Sequence, residues 1–490
     1  MIPQFRAACL ALALFCLPGL AEAAVVKVEG GALAGTEANG IKIWRNIPYA
    51  APPVGPLRWA PPAPVVAWSG ERDATRNGVS CIQPMNRDGA PNSGSANGPM
   101  SEDCLQLNVF APANARQAPV MVWLHGGSHR YGAGWIYDGS NFARDGVILV
   151  SLNYRLGPMG YFAHPALIAE AGSGAVGNYG LMDQLAALAW VKRNIAAFGG
   201  DPKKVTLFGE SAGGGSTLAL LATPRAKGLF RSAIVQSGGG WSRESGLAEH
   251  EAEGVKTTTS LGLTNPDAEA LRAIPAEALS QAASGSFGPF VDGQLLPRTP
   301  TVAFATGKAI DVPLIIGSNS GEDSLMRELG LAPGGLDKAA ETEMRQAFTD
   351  RVFGAPARWI AARASKGKPA WLYHFSYVGS RFRPMGMTRA AHAAEIQYVF
   401  EYWGRRTPLS AVAPDDRAMA TLIHSCWVAF ATTQVPSCAT GPAWPAYGPG
   451  SDQLMEFGMT SGVRTGFRKP QLDILDATVL PTLTRPEISK

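Results

Sequence analysis

"KVTLFGESAGGGSTLALLAT", residues 204–223, decides how this chain reads. It passes from apolar, strand-forming residues through glycines into a leucine- and alanine-rich run, the composition of a strand, a tight turn and a helix. Ser211 stands at the turn, with Gly209 two residues before it and Gly213 two after. Glycines there let the backbone turn sharply and let neighbouring segments approach closely. A serine held in such a turn has its hydroxyl directed outward. The amide of Ala212 then opens a helix beside it, where the helix dipole favours negative charge.

Similar apolar runs recur on both sides of this stretch. "APVMVWLHGG" (118–127), "GVILVSLNY" (146–154), "SAIVQSGG" (232–239) and "VPLIIGSN" (312–319) have the character of fully buried strands running into glycine or polar loops. "NYGLMDQLAALAWVKRNIAAFGG" (178–200) repeats its apolar residues at helical spacing and stops at glycines. Strand alternating with helix predicts an α/β fold with a large, mostly parallel sheet covered on both faces, its chemistry at the carboxyl ends of the strands. Residues 241–290 and 325–368 are helical in pattern without strand signals, and are expected as helical excursions above the sheet.

The chain has 490 residues, 46% of them hydrophobic and 17% charged, which supplies a large core and argues against disorder. A net charge of +4 without any Lys/Arg-rich run excludes nucleic acid as a natural partner. Residues 1–23 set Arg6 before an apolar stretch and end in Ala21-Glu22-Ala23, the pattern of a cleaved secretory leader. Pro18 breaks that stretch, which is shorter than the roughly 20 residues a membrane anchor needs. The mature chain, 24–490, then keeps Cys81, Cys104, Cys426 and Cys438 in an oxidising compartment, periplasm or medium. Three pairings are open; joining sequence neighbours, Cys81 with Cys104 and Cys426 with Cys438, closes the shortest loops.

An exposed serine hydroxyl becomes a nucleophile when a histidine oriented by a carboxylate takes its proton. Among the 7 histidines, His392 lies in a late loop before an apolar run, whereas His374 sits in a strand-like stretch and His424 in a helical one. Glu322 and Asp323 follow the run at 312–319, and either serves as the acid in the order serine, acid, histidine. The glycine-rich "HGGS" after the first run offers unobstructed amides for an oxyanion. Nothing here calls for a metal or organic cofactor, and neither C-x-x-C nor H-E-x-x-H spacing occurs.

Together with "IPYAAPPVGPLRW" (47–59), "SEDCLQLNVF" (101–110), "FGGDPKKVTLFGESAGG" (198–214), "HAAEIQYVF" (392–400) and "WPAY" (444–447), these features resemble the type-B carboxylesterase family over nearly the whole mature chain. The resemblance implies one α/β-hydrolase domain and a serine carboxylesterase acting on a small-molecule ester through an acyl-enzyme. It maps the nucleophile to Ser211, the acid to Glu322 and the base to His392, with oxyanion amides at Gly127, Ser128 and Ala212. It also implies a Cys81–Cys104 bridge and ion pairs Arg58–Glu102 and Arg155–Asp183.

Two positions depart from the family pattern. Ser128 stands where glycine or alanine is common, and His129 stands where an aromatic is usual, so a less greasy pocket is expected. His129, Arg130, Arg381, Arg383 and Arg389 are then candidate substrate-binding residues. Arginines facing the pocket would favour bulky or polycarboxylate, fumonisin-like esters through bidentate bonds. A lipase or polyester hydrolase of the same fold is the enzymatic alternative, and a non-catalytic adhesion or binding module the non-enzymatic one.

Overall fold

A computed structural model describes residues 22–85, 96–327, 329–331, 337–404 and 407–484. The expected leader lies outside these residues except for Glu22 and Ala23, which open the first strand. A 13-stranded sheet organises the chain. Its strands are β1 (Glu22–Val28), β2 (Gly31–Ala38), β3 (Ile41–Pro48), β4 (Glu71–Asp73), β5 (Gln106–Pro112), β6 (Ala118–Leu124) and β7 (Ile148–Leu152). They continue with β8 (Gly200–Glu210), β9 (Ser232–Gln236), β10 (Leu314–Asn319), β11 (Ala370–Phe375), β12 (Gln453–Phe457) and β13 (Gly462–Thr465). The order across the sheet is β1-β2-β3-β5-β7-β6-β8-β9-β10-β11-β12-β13, with β4 on β2. Pairings from β7 through β12 are parallel, and those at the two edges are antiparallel apart from the parallel pair β2–β4.

The runs that look like buried strands in the sequence are the central ones, and they are apolar throughout because both faces are covered. Along β6, Val120 and Val122 enter one core while Met121 and Trp123 enter the other, as the two-residue period of a strand requires. The first core takes helices Tyr179–Asn194, Ala212–Leu221 and Ala355–Ala364. The second takes helix Pro414–Thr433 with Phe142 and Phe400. Among the described residues, no helix is long and apolar enough to cross a membrane.

One expectation needs correction. The stretch 325–368 does not rise above the sheet as a unit: after helix Lys338–Thr349 and a π-helical turn at Asp350–Gly354, helix Ala355–Ala364 lies on the sheet with Trp359 and Ile360 in the core. Its alanine-rich composition fits a covering helix as well as an excursion. Residues 241–290 do form short helices outside the sheet, at Leu247–Ser260, Ala268–Arg272 and Ala276–Ala282.

Cysteines bridge as sequence neighbours, Cys81 to Cys104 and Cys426 to Cys438. Much of the loop that the first bridge closes, 86–95, lies outside the described residues. Arg58 Nε meets Glu102 Oε2 at 2.6 Å, and the same guanidinium donates to the Arg272 and Ile274 carbonyls, tying the first excursion to the body. Arg155 grips Asp183 with Nη2 at 2.7 Å and Nε at 2.8 Å, both side chains buried.

Removing one partner of so dry a pair leaves a buried charge alone, so Asp183→Ala is expected to lower the unfolding free energy by about 3–5 kcal/mol. Glu29→Ala, which loses only the exposed partner Arg193, is expected to cost less than about 1 kcal/mol. Urea unfolding followed by tryptophan fluorescence measures both, and equal midpoints would contradict the assignment.

Candidate active site

The site begins where β8 ends. Ser211 has φ 55° and ψ −121°, and helix Ala212–Leu221 starts at the next residue. Such a backbone state costs an L-residue about 1–3 kcal/mol and persists only where its surroundings over-determine it. Here they do. A β-carbon on Gly213 would lie 1.9 Å from the Leu124 carbonyl oxygen, and one on Gly209 would lie 2.5 Å from the Gly213 backbone, so the strand end, the helix and β6 meet at distances only glycine allows. The Ser211 amide donates to the Gln236 carbonyl at 2.9 Å, which fixes the turn to β9.

Beyond the end of β10, Glu322 is fully buried. Its Oε1 accepts from Ser237 Oγ at 2.6 Å and the Asn319 amide at 2.7 Å, and its Oε2 lies 2.5 Å from His392 Nδ1. Asp323 turns away to Arg389 at 3.0 Å and Arg345 at 3.2 Å, so the structure places Glu322, not Asp323, against the imidazole. The other edge of the ring, Nε2, lies 3.0 Å from Glu210 Oε1. Burial drives the His392 pKa down, but the Glu210 and Glu322 carboxylates outweigh it, and the imidazole is pushed up to about 9.

Glu210 and Glu395 are members of this group that the sequence reading missed. Glu395 is buried and accepts from Asn319 Nδ2 at 2.6 Å and Gln236 Nε2 at 3.0 Å. Burial above all, with the nearby Glu322 carboxylate, raises its pKa against the pull of those bonds. Both residues stand inside the quoted motifs, directly before the serine and three residues after the histidine. A carboxylate in an otherwise small or apolar motif was the available signal.

After β6 the chain runs over Ser211. Gly127, Ser128 and His129 have φ of 108°, 55° and 52°, and the Gly127 carbonyl accepts from the Arg130 and Tyr131 amides at 2.9 Å each. A β-carbon on Gly126 would lie 2.7 Å from Glu210 Oε2 and 3.1 Å from Ser211 Cβ. Gly126, Gly127, Ser128, Glu210, Ser211 and His392 line one cavity of about 530 Å³. Its remaining wall includes Tyr131, Ile136, Tyr137, Leu325, Ile396, Phe400 and Tyr402.

The expected substrate-binding residues do not join this lining. His129 is buried, with Nε2 2.9 Å from Ser216 Oγ. Its positive φ turns the side chain into the body instead of the pocket. Arg130 donates to the Ala283 carbonyl and lies over the Phe287 ring. Arg381 lies over Phe382, Arg383 pairs with Asp415 and donates to the Val378 carbonyl, and Arg389 pairs with Asp323 and donates to the Ser320 carbonyl. Each arginine is engaged by other side chains or carbonyls. Among the described lining residues none comes from 241–290, and only Ser324 and Leu325 come from the segment after Glu322.

Behind the cavity wall, Asp145, Glu401 and His424 bring potential metal-ligand atoms within 4.8 Å of one another. The Arg144 guanidinium donates to Asp145 and Glu401 at 2.6 Å each, and His424 Nε2 lies 3.0 Å from Asp145, so a resident cation already balances the carboxylates.

The Carboxylesterase family profile matches residues 22–345 and 332–475. The chain belongs to the carboxylesterase family. It is 38% identical over 463 residues to the para-nitrobenzyl esterase of Bacillus subtilis (strain 168), covering 86% of this chain and 92% of that one. It is 34% identical over 481 residues to the fumonisin B1 esterase of Sphingopyxis macrogoltabida, covering 89% and 87%. A solved PNB esterase matches with a TM-score of 0.81 at 34% identity over 92% of this chain and 99% of its own. The protein is thus a carboxylic ester hydrolase with the α/β-hydrolase fold of its family.

His392 held between two carboxylates is expected to titrate near pH 9, seen by NMR of its imidazole protons, and in Glu210→Gln to titrate lower, nearer an ordinary histidine. Because the folded-state pKa is raised, this pairing stabilises the fold fully below about pH 6.5, and the contribution fades as pH rises through about 9. An unchanged titration in Glu210→Gln would contradict this electrostatic picture.

Proposed function

We propose that Ser211, His392 and Glu322 form the catalytic triad of a serine carboxylesterase. The observation that carries this reading is the bond between the Glu322 carboxylate and His392 Nδ1 beside the cavity that Ser211 lines. Ser211 Oγ attacks the ester carbonyl while His392 Nε2 takes its proton; the imidazolium returns that proton to the leaving alcohol, and an acyl-enzyme remains. Water then repeats the sequence and releases the acid. Glu322 holds the ring by Nδ1 and stabilises its cation. The amides of Gly127, Ser128 and Ala212 receive the oxyanion, where each well-placed donor is worth about 2.7–4 kcal/mol.

Uncharged esters of moderate size are the proposed substrates. The cavity has the volume of a small-molecule site, and its walls mix aromatic and aliphatic side chains with polar groups such as Ser324 and Gln397. The charged groups among its described lining residues are Glu210 and His392, so a carboxylate-bearing substrate would meet Glu210 beside the reacting carbonyl. The relative that hydrolyses para-nitrobenzyl esters by name fits this preference better than the fumonisin B1 esterase does. We also propose that the mature chain is one exported domain, supported by the leader-like composition of residues 1–23, the sheet continuous from β1 to β13, and two disulfides suited to an oxidising compartment.

Release of para-nitrophenol from acetyl and longer acyl esters, set beside a tricarballylate monoester, tests both parts. Ser211→Ala is expected to retain the fold and lose roughly four to six orders of magnitude in turnover. The neutral short ester is expected to have the higher kcat/KM. Full activity in Ser211→Ala would overturn the triad, and preference for the polycarboxylate would overturn the substrate class alone.

A further inference from the structure

Ser128 and His129 are consecutive non-glycine residues in the left-handed region, directly after Gly127. That state is strained for any residue with a β-carbon, so something must hold the loop in place. Its Gly127 carbonyl is tied within the loop, so beyond the strand end packed on helix Ala212–Leu221 a side chain adds the tie between residues 128–129 and that helix. The His129 ring supplies that link. Its Nε2 lies 2.9 Å from Ser216 Oγ on the helix, and Gln184 Nε2 donates to the same hydroxyl at 3.0 Å. The His129 carbonyl accepts from the Gly157 amide at 2.6 Å.

The environment suits a neutral strut. Tyr161 packs edge-on at 5.2 Å and Tyr154 at 6.3 Å. Burial, with His125 as the neighbouring titratable group, lowers the His129 pKa to about 4. No wall of the cavity is involved.

We propose that His129 is the positioning residue of the oxyanion-binding loop: its bond to Ser216 sets the Ser128 amide against the Ala212 amide that begins the same helix. This rests on the serine-hydrolase reading above. Ser211 to Ser216 is one rigid helical segment, so a ring fixed to Ser216 is fixed relative to the nucleophile. A phenyl ring would fill the same space but release the loop and leave the Ser216 hydroxyl with Gln184 as its one remaining side-chain partner of the pair. Misplacing a donor by a fraction of an ångström acts on the developing oxyanion and not on the bound ester, so it lowers kcat and spares KM.

The test uses the full chain with para-nitrophenyl acetate and a trifluoromethyl ketone transition-state analogue. His129→Phe is expected to lower kcat about tenfold or more with KM within about twofold, and to weaken the analogue by a similar factor. Ser216→Ala should reproduce this, and the double variant should be no worse than the more affected single, because both remove one bond. His129→Gln, whose amide can still reach Ser216, should recover part of the loss. Urea midpoints identify any variant that fails to fold; Ser216→Ala, a small change favourable to a helix, then carries the test alone. Wild-type kcat in either folded variant, or additive losses in the double, overturns the strut. An inactive wild type overturns the hydrolase reading instead.

Discussion

The site depends on one close approach: helix Ala212–Leu221 starts so near the end of β6 that a β-carbon on Gly213 would lie 1.9 Å from the Leu124 carbonyl oxygen. That contact does more than bend the chain at Ser211. Since β6 ends at Leu124 and the glycine loop follows at once, pressing the helix against the strand end sets the loop over the serine. Gly126 lies against Glu210 and Ser211 for the same reason. The proposed nucleophile and oxyanion loop are therefore consequences of a single steric fit. Neither is an independent embellishment of the sheet.

Charge is the second constraint. Glu210, Glu322 and Glu395 crowd one imidazole, and burial penalises every ionised member. The ring answers by holding its proton against Glu210 and Glu322, while Glu395 is shifted toward its neutral form and is satisfied by Asn319 and Gln236. Asn319 serves both acids, through its amide to Glu322 and its side chain to Glu395. The two carboxylates thus favour the protonated ring. In the proposed mechanism a substrate that displaces Glu210 from Nε2 would weaken that hold and free the ring to act as a base.

How much of this could be read in advance follows from what each feature depends on. The central strands and Ser211 were legible because apolar runs, glycines and their spacing are local properties. The choice of Glu322 over Asp323 depended on resemblance, since adjacent acids differ only in which way a turn directs them, and Arg389 captures Asp323 from a distant segment. The edge strands β1 to β3 carry half-exposed residues with little apolar run to mark them. His129 and the arginines stay out of the cavity lining for one shared reason: nearness to a motif in sequence is not nearness in space. Positive φ at 128 and 129 reverses the side chain, and each arginine finds acids, carbonyls or rings beside its own loop.

The substrate wall is held by different means from the chemistry. Phe400 and Tyr402 flank Glu401, whose carboxylate pairs with Arg144 and whose carbonyl accepts from Asn141 Nδ2 at 3.1 Å. These are partly exposed polar contacts, whereas the proposed catalytic elements are fixed by glycine-limited backbone packing and largely buried bonds. Exposed ion pairs contribute little and tolerate exchange, while sub-ångström backbone fits do not. Substitutions of the exposed Arg144 and Tyr402 can therefore alter this wall, while Phe142 and Phe400, packed in the core beside Trp123 and Phe208, hold the strands that lead to Ser211 and its loop.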